Sequence, residues 1–309
     1  MEKKTVKIGT RGSQLALFQA ELTKKFLLEK FPGIEVKIVI IKTKGDKILD
    51  VALSKIGDKG LFTKEIENAL LAGEVDMAVH SLKDLPTALP EGLKLGAVLE
   101  RAEYRDALVS KDGRKLHELT ENDVIATSSL RRKASLLRYN KNFQIVDIRG
   151  NVNTRLRKME EGYCDAMIMA AAGLQRLELN NYITEIIIPE IIIPAASQGI
   201  IAIESRIGDT ETEKFLNAIN HESSWIAGEA ERGFLRAIEG GCQVPVGCHS
   251  QILGEKIALT GFVASMDGEV YLLETETGSV AHPRETGEKL AQKLIGRGAA
   301  NIMKEIRQQ

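Results

Sequence analysis

Through roughly the first 200 residues, short apolar runs alternate with helix-periodic ones, and that rhythm leaves few folds open. VKIGT reads as a strand. In SQLALFQAELTKKFLLEKF, Leu15, Phe18, Leu22 and Phe26 recur at helical spacing. EVKIVIIKT is a strand, LFTKEIENALLAG a helix that stops at Gly73, and VDMAVH and LKLGAVLE are further strands. Strands joined through helices run mostly parallel, with helices covering the faces of the sheet. ERAEYRDALVS is charged and lacks periodicity, which places a crossover near residues 100 to 105. The rhythm then restarts. DVIAT, FQIVDI and DAMIMA are strands, and SSLRRKASLLRYN and NVNTRLRKMEEG are helices. This second stretch closes at IIIPEIIIPAASQG, where two prolines interrupt the apolar run. IIAIES is one more buried strand, and its place after that crossing returns it to the first sheet. Two crossings between two similar α/β units describe a hinged pair with a cleft between them.

From about residue 220 the character changes. ESSWIAGEAERGFLRAIEGG is a helix stopped by two glycines. HSQILG, KIALTGFVAS and EVYLLETE form a three-stranded meander, and RETGEKLAQKLIGRGAANIMKEI is a closing helix. The expected organisation is a discontinuous α/β domain 1 (residues 1–99 and 200–217), an α/β domain 2 (105–193) and a small α+β domain 3 (222–309). A chain of 309 residues suits two or three domains, and 43% hydrophobic residues suffice for aliphatic cores.

The net charge of −1 argues against a nucleic-acid protein, whose phosphate-tracking surface makes a domain basic. No run approaches the roughly 18 apolar residues of a membrane span, and MEKKTVKIGTRG lacks the apolar stretch of a signal peptide. Three cysteines, Cys164, Cys242 and Cys248, have no framework spacing, so a reduced, cytoplasmic setting is expected.

Overall neutrality hides a local excess. Residues 128–158 hold nine Lys or Arg against one acid, Asp147. Lys141 and Lys158 suit an ordinary solvated helix face. Arg131, Arg132, Arg149 and Arg155 differ, because each follows a strand at or near the start of a helix. Strand carboxyl ends line the ligand crevice of an open parallel sheet. Helix N-termini there already offer free N–H groups. TSSLRR and RGNVNTR supply two such ends. GTRGS places Arg11 and Ser13 at a third, and VHSLKD places Ser81, Lys83 and Asp84 at a fourth. Cations at four strand ends make a site for a polyanion, and arginine forks suit its carboxylates. Asp84 is the odd group. It is either half of a Lys83–Asp84 surface pair, or a carboxylate that binds a ligand N–H or steadies a developing positive charge. The five histidines have no metal-ligand spacing, and His80 reads as capping a strand end. No metal is expected.

EGGCQVPVG sets Cys242 between paired glycines and a Val-Pro turn, where nothing resembles core packing. With this stretch, IGTRGSQLAL, KTKGD, GDKGLFTKEIE, DMAVHSLKDLP, ATSSLRR, IRGNVNTRL and AAAGLQRL occur in an order and spacing that resemble the porphobilinogen deaminase (hydroxymethylbilane synthase) family nearly end to end. The resemblance implies two domains like type II periplasmic binding proteins, joined to a small third. It implies a monomer that joins four porphobilinogen molecules head to tail, releases ammonia at each step, and then hydrolyses off hydroxymethylbilane. It implies that Cys242 holds a dipyrromethane cofactor through a thioether, and that Cys248 is structural. Asp84 would bond pyrrole N–H groups and stabilise the cation left when ammonia departs. Lys83, Ser129, Arg131 and Arg132 would grip the cofactor carboxylates. Arg11, Ser13, Arg149, Arg155 and Arg176 would bind substrate or the growing chain. Lys55 and Lys59, in SKIGDKGLF, would join them as part of a lid. Two residues depart from the family pattern: Ser197 stands where glycine is usual, and Ile200 where a small residue is common.

Two other functions suit parts of the sequence. A non-catalytic two-domain binder of small anions explains the basic strand ends but leaves EGGCQVPVG without a role. A cysteine-dependent hydrolase needs a base beside Cys242, which the adjoining sequence does not supply.

Overall fold

The computed structural model describes residues 5–47, 60–239 and 244–308. In chain order, the first α/β part comprises β1 (Thr5–Thr10), α1 (Gln14–Lys30), β2 (Glu35–Ile40), α2 (Lys44–Lys47), α3 (Lys64–Leu71), β3 (Met77–Ser81) and β4 (Leu93–Val98). The second comprises β5 (Asp106–Ser110), β6 (Val124–Ala126), α4 (Leu130–Tyr139), β7 (Gln144–Val146), α5 (Val152–Glu160), β8 (Ala166–Ala170), α6 (Ala171–Arg176) and β9 (Glu185–Ile187). The chain continues with β10 (Ile201–Arg206), α7 (Thr210–Ile219) and α8 (Glu222–Ala237). It then forms β11 (Val246–Leu253), β12 (Lys256–Ala264), β13 (Tyr271–Ser279), α9 (Pro283–Gly296) and α10 (Ala299–Arg307).

The first sheet has the order β2-β1-β3-β10-β4, and the second repeats it as β7-β6-β8-β5-β9. In each, three parallel strands are followed by one inserted strand that runs against its neighbours. The inserted strands are β10 and β5, the first strands after each crossing of the chain. IIAIES thus does rejoin the first sheet. β5 is a strand that periodicity missed, because RDALVS carries a charge at its buried start. The two sheets thus share one strand order. The chain divides into two compact units, one from Met1–Leu49, Asp58–Ala102 and Gly199–Trp225, the other holding Glu103–Gln198 and Ile226–Gln309. The second unit contains both the second α/β sheet and the antiparallel meander β11-β12-β13.

In the first unit, α1 lies on the sheet through a stripe of small residues. Ala16, Ala20, Thr23 and Leu27 are its buried face, one position along from the Leu15, Phe18, Leu22, Phe26 stripe that periodicity favoured. Phe18 is exposed, while Leu22 and Phe26 pack at the margin of the core. Alanines let the helix axis approach the strands more closely than large side chains would. Ser13 starts the helix by accepting a bond from the Ala16 N–H at 3.3 Å.

In the second unit, α8, α9 and α10 enclose the meander around Phe234, Val263, Leu290 and Leu294. The closing helix of the sequence is in fact two, broken at Gly298, whose φ of 105° ends the first. The meander also packs on α4. Ala134, Ile193, Phe262 and Ala264 share a core with Tyr271, and the Arg138 guanidinium sits 4.0 Å over the Tyr271 ring. A Cβ on Gly268 would lie 2.3 Å from the Ala134 carbonyl, so only glycine permits that approach.

The two departures flagged in PAASQGIIAIE have different consequences. Ile200 is simply absorbed into a core with Leu82, Leu85 and Val98. Ser197 is held at φ 63°, a conformation that costs a side-chain-bearing residue about 1–2 kcal/mol. Its N–H donates to Glu231 Oε2 at 2.6 Å, while its buried hydroxyl finds no partner among the described residues. Ser197→Gly removes both costs and adds only the chain entropy of glycine, about 0.5–1 kcal/mol. The variant is expected to be more stable by about 1 kcal/mol, read as a higher urea midpoint at unchanged slope. A lower midpoint would mean that the serine side chain contributes packing that outweighs its strain.

Candidate functional site

In the first unit β1 and β3 run parallel, so the residues that follow them share one sheet edge. Arg11 follows β1, with its guanidinium 4.2 Å over the Phe62 ring. After β3 the chain makes a 3₁₀ turn, Leu82–Asp84, pivoted on buried Leu82. Gln19 Nε2 donates to Ser81 Oγ at 2.8 Å and fixes the end of the strand. Arg11, Ser13, Gln19, Phe62, Ser81 and Asp84 line one pocket. Asp84 is exposed, and among the described residues its carboxylate makes no hydrogen bond and no ion pair. The Lys83–Asp84 surface pair weighed from the sequence therefore does not form. Ser13 serves both as helix cap and as pocket wall.

His80 is not a strand-end cap. It is buried within β3, lines the same pocket, and places Nε2 2.9 Å from Glu204 Oε2 on β10. No group of three His, Cys, Asp or Glu among the described residues is arranged to hold a metal.

In the second unit β7, β6 and β8 are parallel, and their carboxyl ends carry the TSSLRR, RGNVNTR and AAAGLQR segments along one edge. Ser128 Oγ donates to the Ile148 carbonyl at 2.9 Å and ties the first two segments together. Ser129 is the N-cap of α4, yet its side chain makes no capping bond. Gly150 turns with φ 115°, and Asn151 caps α5 through Thr154 N–H at 2.9 Å. That turn leaves Arg149 before the helix and Arg155 in its first turns, with Arg155 Nε donating to the Gly150 carbonyl at 2.8 Å. Burial pulls the Arg149 guanidinium below its ordinary value and pushes that of Arg176, at the end of α6, down to about 10. Guanidiniums stripped of water in this way are stabilised by an anion.

Arg131 and Arg132 are placed differently from expectation. Both are buried, at 5% and 7% exposure, and both are committed to Asp106. Arg131 Nη1 donates to Asp106 Oδ2 at 2.7 Å and to the Ile193 carbonyl at 2.6 Å. Arg132 Nε and Nη2 donate to Asp106 Oδ1 at 3.1 and 2.6 Å, and its Nη1 to the Ile168 carbonyl at 3.0 Å. Burial alone would raise the Asp106 carboxyl, but the two guanidiniums outweigh it and hold it far below the usual carboxylate range. The apparent excess of nine cations thus includes two that are already neutralised by an acid outside that stretch. Arg131 keeps Nε and Nη2 without a hydrogen bond among the described residues, so it retains donors for a ligand. Its Cδ also abuts Gly247, at 2.8 Å from where a Cβ would stand, next to the strand that leaves EGGCQVPVG.

Sequence reasoning missed Asp106 and Glu204. The available signal was a charge inside an otherwise apolar strand, in RDALV and IIAIES, since a buried charge requires a partner. Cys248 is a buried free thiol whose sulfur faces the Glu231 carbonyl at 3.8 Å, in keeping with a structural role. Lys55, Lys59 and Cys242 lie outside the described residues.

Comparison with known proteins gives one consistent result. Residues 6–214 match the family model for the porphobilinogen deaminase dipyromethane cofactor binding domain, and residues 225–296 match its C-terminal domain. A porphobilinogen deaminase of Desulfitobacterium hafniense is 50% identical over 303 residues, covering 98% of each chain. That of Syntrophomonas wolfei is 48% identical over 304 residues, covering 98% of this chain and 99% of the relative. Among solved structures, the BenM effector binding domain with benzoate aligns at a TM-score of 0.44 and 16% identity, over 71% of this chain and 91% of that one.

Proposed function

The chain belongs to the porphobilinogen deaminase family, and on that premise we propose which of its residues perform the family's reaction. It is a transferase that joins four porphobilinogen molecules head to tail with loss of ammonia and releases hydroxymethylbilane by hydrolysis. Its cofactor is dipyrromethane, which supplies the covalently held pyrrole end on which the chain is begun. The observation that carries the assignment of roles is Asp84: an exposed carboxylate, unengaged among the described residues, in a pocket that it shares with Arg11.

The residues suit the cofactor. A dipyrromethane bears several carboxylates and two pyrrole N–H groups. The second unit offers Arg131 with spare donors and the uncapped hydroxyl of Ser129, and Arg132 is fixed beside them. Lys83 and Asp84 are assigned to the cofactor as well. Cys242 anchors the group through its sulfur. Arg11, Ser13, Arg149, Arg155 and Arg176, with Lys55 and Lys59, bind the acetate and propionate groups of substrate.

Asp84 accepts hydrogen bonds from pyrrole N–H groups and places negative charge where positive charge grows as ammonia leaves. Such stabilisation acts on the transition state more than on bound substrate. Asp84→Ala is therefore expected to lower turnover about 100-fold, at the low end for a positioned acid–base group, with the cofactor adduct retained in the intact mass. A near-normal rate would remove Asp84 from this role. For the function itself, purified protein is incubated with porphobilinogen and assayed for linear tetrapyrrole, alongside an aldehyde colour test for bound pyrrole. A protein that neither consumes porphobilinogen nor carries a pyrrole would be the small-anion binder instead.

We propose that the domains divide near residues 100, 200 and 220, with the meander and its helices as the third. No helix among the described residues is long and apolar enough to cross a membrane. The protein is assigned to the cytoplasm as a monomer, with no nucleic-acid or membrane partner.

A further inference from the structure

The pocket that holds Asp84 is backed by a buried group of acids that the reading above leaves unused. Glu204 on β10 is fully buried, and Glu67 on α3 is 5% exposed. Neither Glu204 carboxylate oxygen makes a hydrogen bond among the described residues, nor does Glu67 Oε1 or Thr63 Oγ1. His80 stands between this group and the pocket. Its Nε2 is turned inward, 2.9 Å from Glu204 Oε2, within ion-pair distance although off the angle of a hydrogen bond. Its Nδ1 has no hydrogen bond among the described residues. Two buried carboxylates are costly unless they share protons or face a cation. Burial raises the Glu67 carboxyl above its ordinary value, with Glu204 adding to the rise. Glu204 is the acid that faces the imidazole.

A carboxylate behind one ring nitrogen, with the other nitrogen on the pocket side, is an arrangement that takes up a proton and holds it. We propose that His80 accepts the proton released when one pyrrole is joined to the next, with Glu204 as its positioning residue. This rests on the reaction assigned above. In each condensation the C–N bond of the substrate's protonated aminomethyl group breaks, and its electron pair leaves with the nitrogen as ammonia. A C–C bond forms to the ring carbon of the acceptor pyrrole. The C–H bond at that carbon then breaks, its electron pair restores the ring, and its proton passes to His80 Nδ1. The imidazolium is held by Glu204 until it returns the proton to water. Asp84 remains on the pyrrole N–H side, so proton uptake and cation stabilisation fall to separate groups.

Among the described residues, the charged groups facing His80 are Glu204 from β10 and Glu67 from α3, with Asp84 and Arg11 lining the same pocket. A neutral imidazole is required, so the rate falls as pH drops through its titration.

The test uses cofactor-loaded protein, with the adduct verified by intact mass in every sample. His80→Gln is expected to lower kcat by about 100-fold or more, to leave KM within a few-fold, and to lose the acid limb. Glu204→Gln is expected to lower kcat about tenfold, to leave KM within a few-fold and to keep the adduct. A purely structural role for Glu204 would lower stability without lowering the kcat of the folded protein. Should either variant fail to fold, ¹⁵N-histidine NMR of the wild-type protein decides the matter: one of its five histidines must titrate with the acid limb of the rate. A His80→Gln enzyme with wild-type kcat and an unchanged limb overturns the proposal, as does a wild type in which no histidine titrates with the limb. Either result leaves the assigned reaction intact, whereas wild-type protein without adduct or tetrapyrrole product would undo that assignment and not this one alone.

Discussion

Cys242→Ala is expected to abolish tetrapyrrole formation and to yield an intact mass equal to that of the bare polypeptide. The reason is the tether. Holding an acceptor pyrrole covalently beside bound substrate makes each addition intramolecular, and such arrangements reach effective molarities of about 10⁵–10⁸ M. No free dipyrrole at attainable concentration replaces that. The other two cysteines serve as internal controls. Cys164 is buried, and burial with nearby Asp165 pushes its thiol up to about 11, so only about one part in ten thousand is thiolate at neutral pH. Cys248 is fully buried on β11 against the Glu231 carbonyl. Alanine at either of these positions keeps the adduct. An adduct that persists on Cys242→Ala, or that disappears with Cys164→Ala, would place the thioether elsewhere.

The sequence was most legible where a local rule governs. The helices that begin at Ser13 and Asn151 and the meander of the C-terminal part were read from runs of local sequence. The strand ends that carry Arg11, Asp84 and Arg149 followed from the βαβ rhythm alone. What stayed hidden depends on partners far apart in the chain. Arg131 and Arg132 look like free cations until Asp106, 25 and 26 residues upstream, is seen between them. His80 and Glu204 meet only because β10 runs antiparallel beside β3. The α1 stripe was misplaced by one residue for a related reason: periodicity weights large side chains, whereas close approach to a sheet selects small ones. Long-range neutralisation and close packing leave no periodic trace.

Asp106→Asn is expected to cost about 3–5 kcal/mol of stability at neutral pH, the range for stripping one partner from a buried ion pair. Asparagine keeps the size of the side chain and removes only its charge. The two guanidiniums then face each other in the second unit without a buried anion. The loss reaches further than α4. Gln198 Nε2 bonds both Asp106 Oδ1, at 3.0 Å, and the Tyr104 carbonyl, at 2.8 Å, so the departing and returning ends of this α/β segment are pinned at the same carboxylate. Because the folded protein holds Asp106 below its ordinary value, its contribution is fully present above the unfolded carboxyl's pKa of about 3.9 and is lost as pH falls through the folded value. The gap between wild type and variant in urea unfolding should therefore be constant from pH 5 to 8 and narrow below about pH 4. A gap that does not depend on pH in acid would mean that size or hydrogen bonding, not charge, holds the triad. A gap under about 1 kcal/mol at neutral pH would mean that Arg131 and Arg132 find water or another anion when Asp106 is gone. Their carboxylate-binding capacity would then belong to the arginines themselves, and Asp106 would not be what aims them.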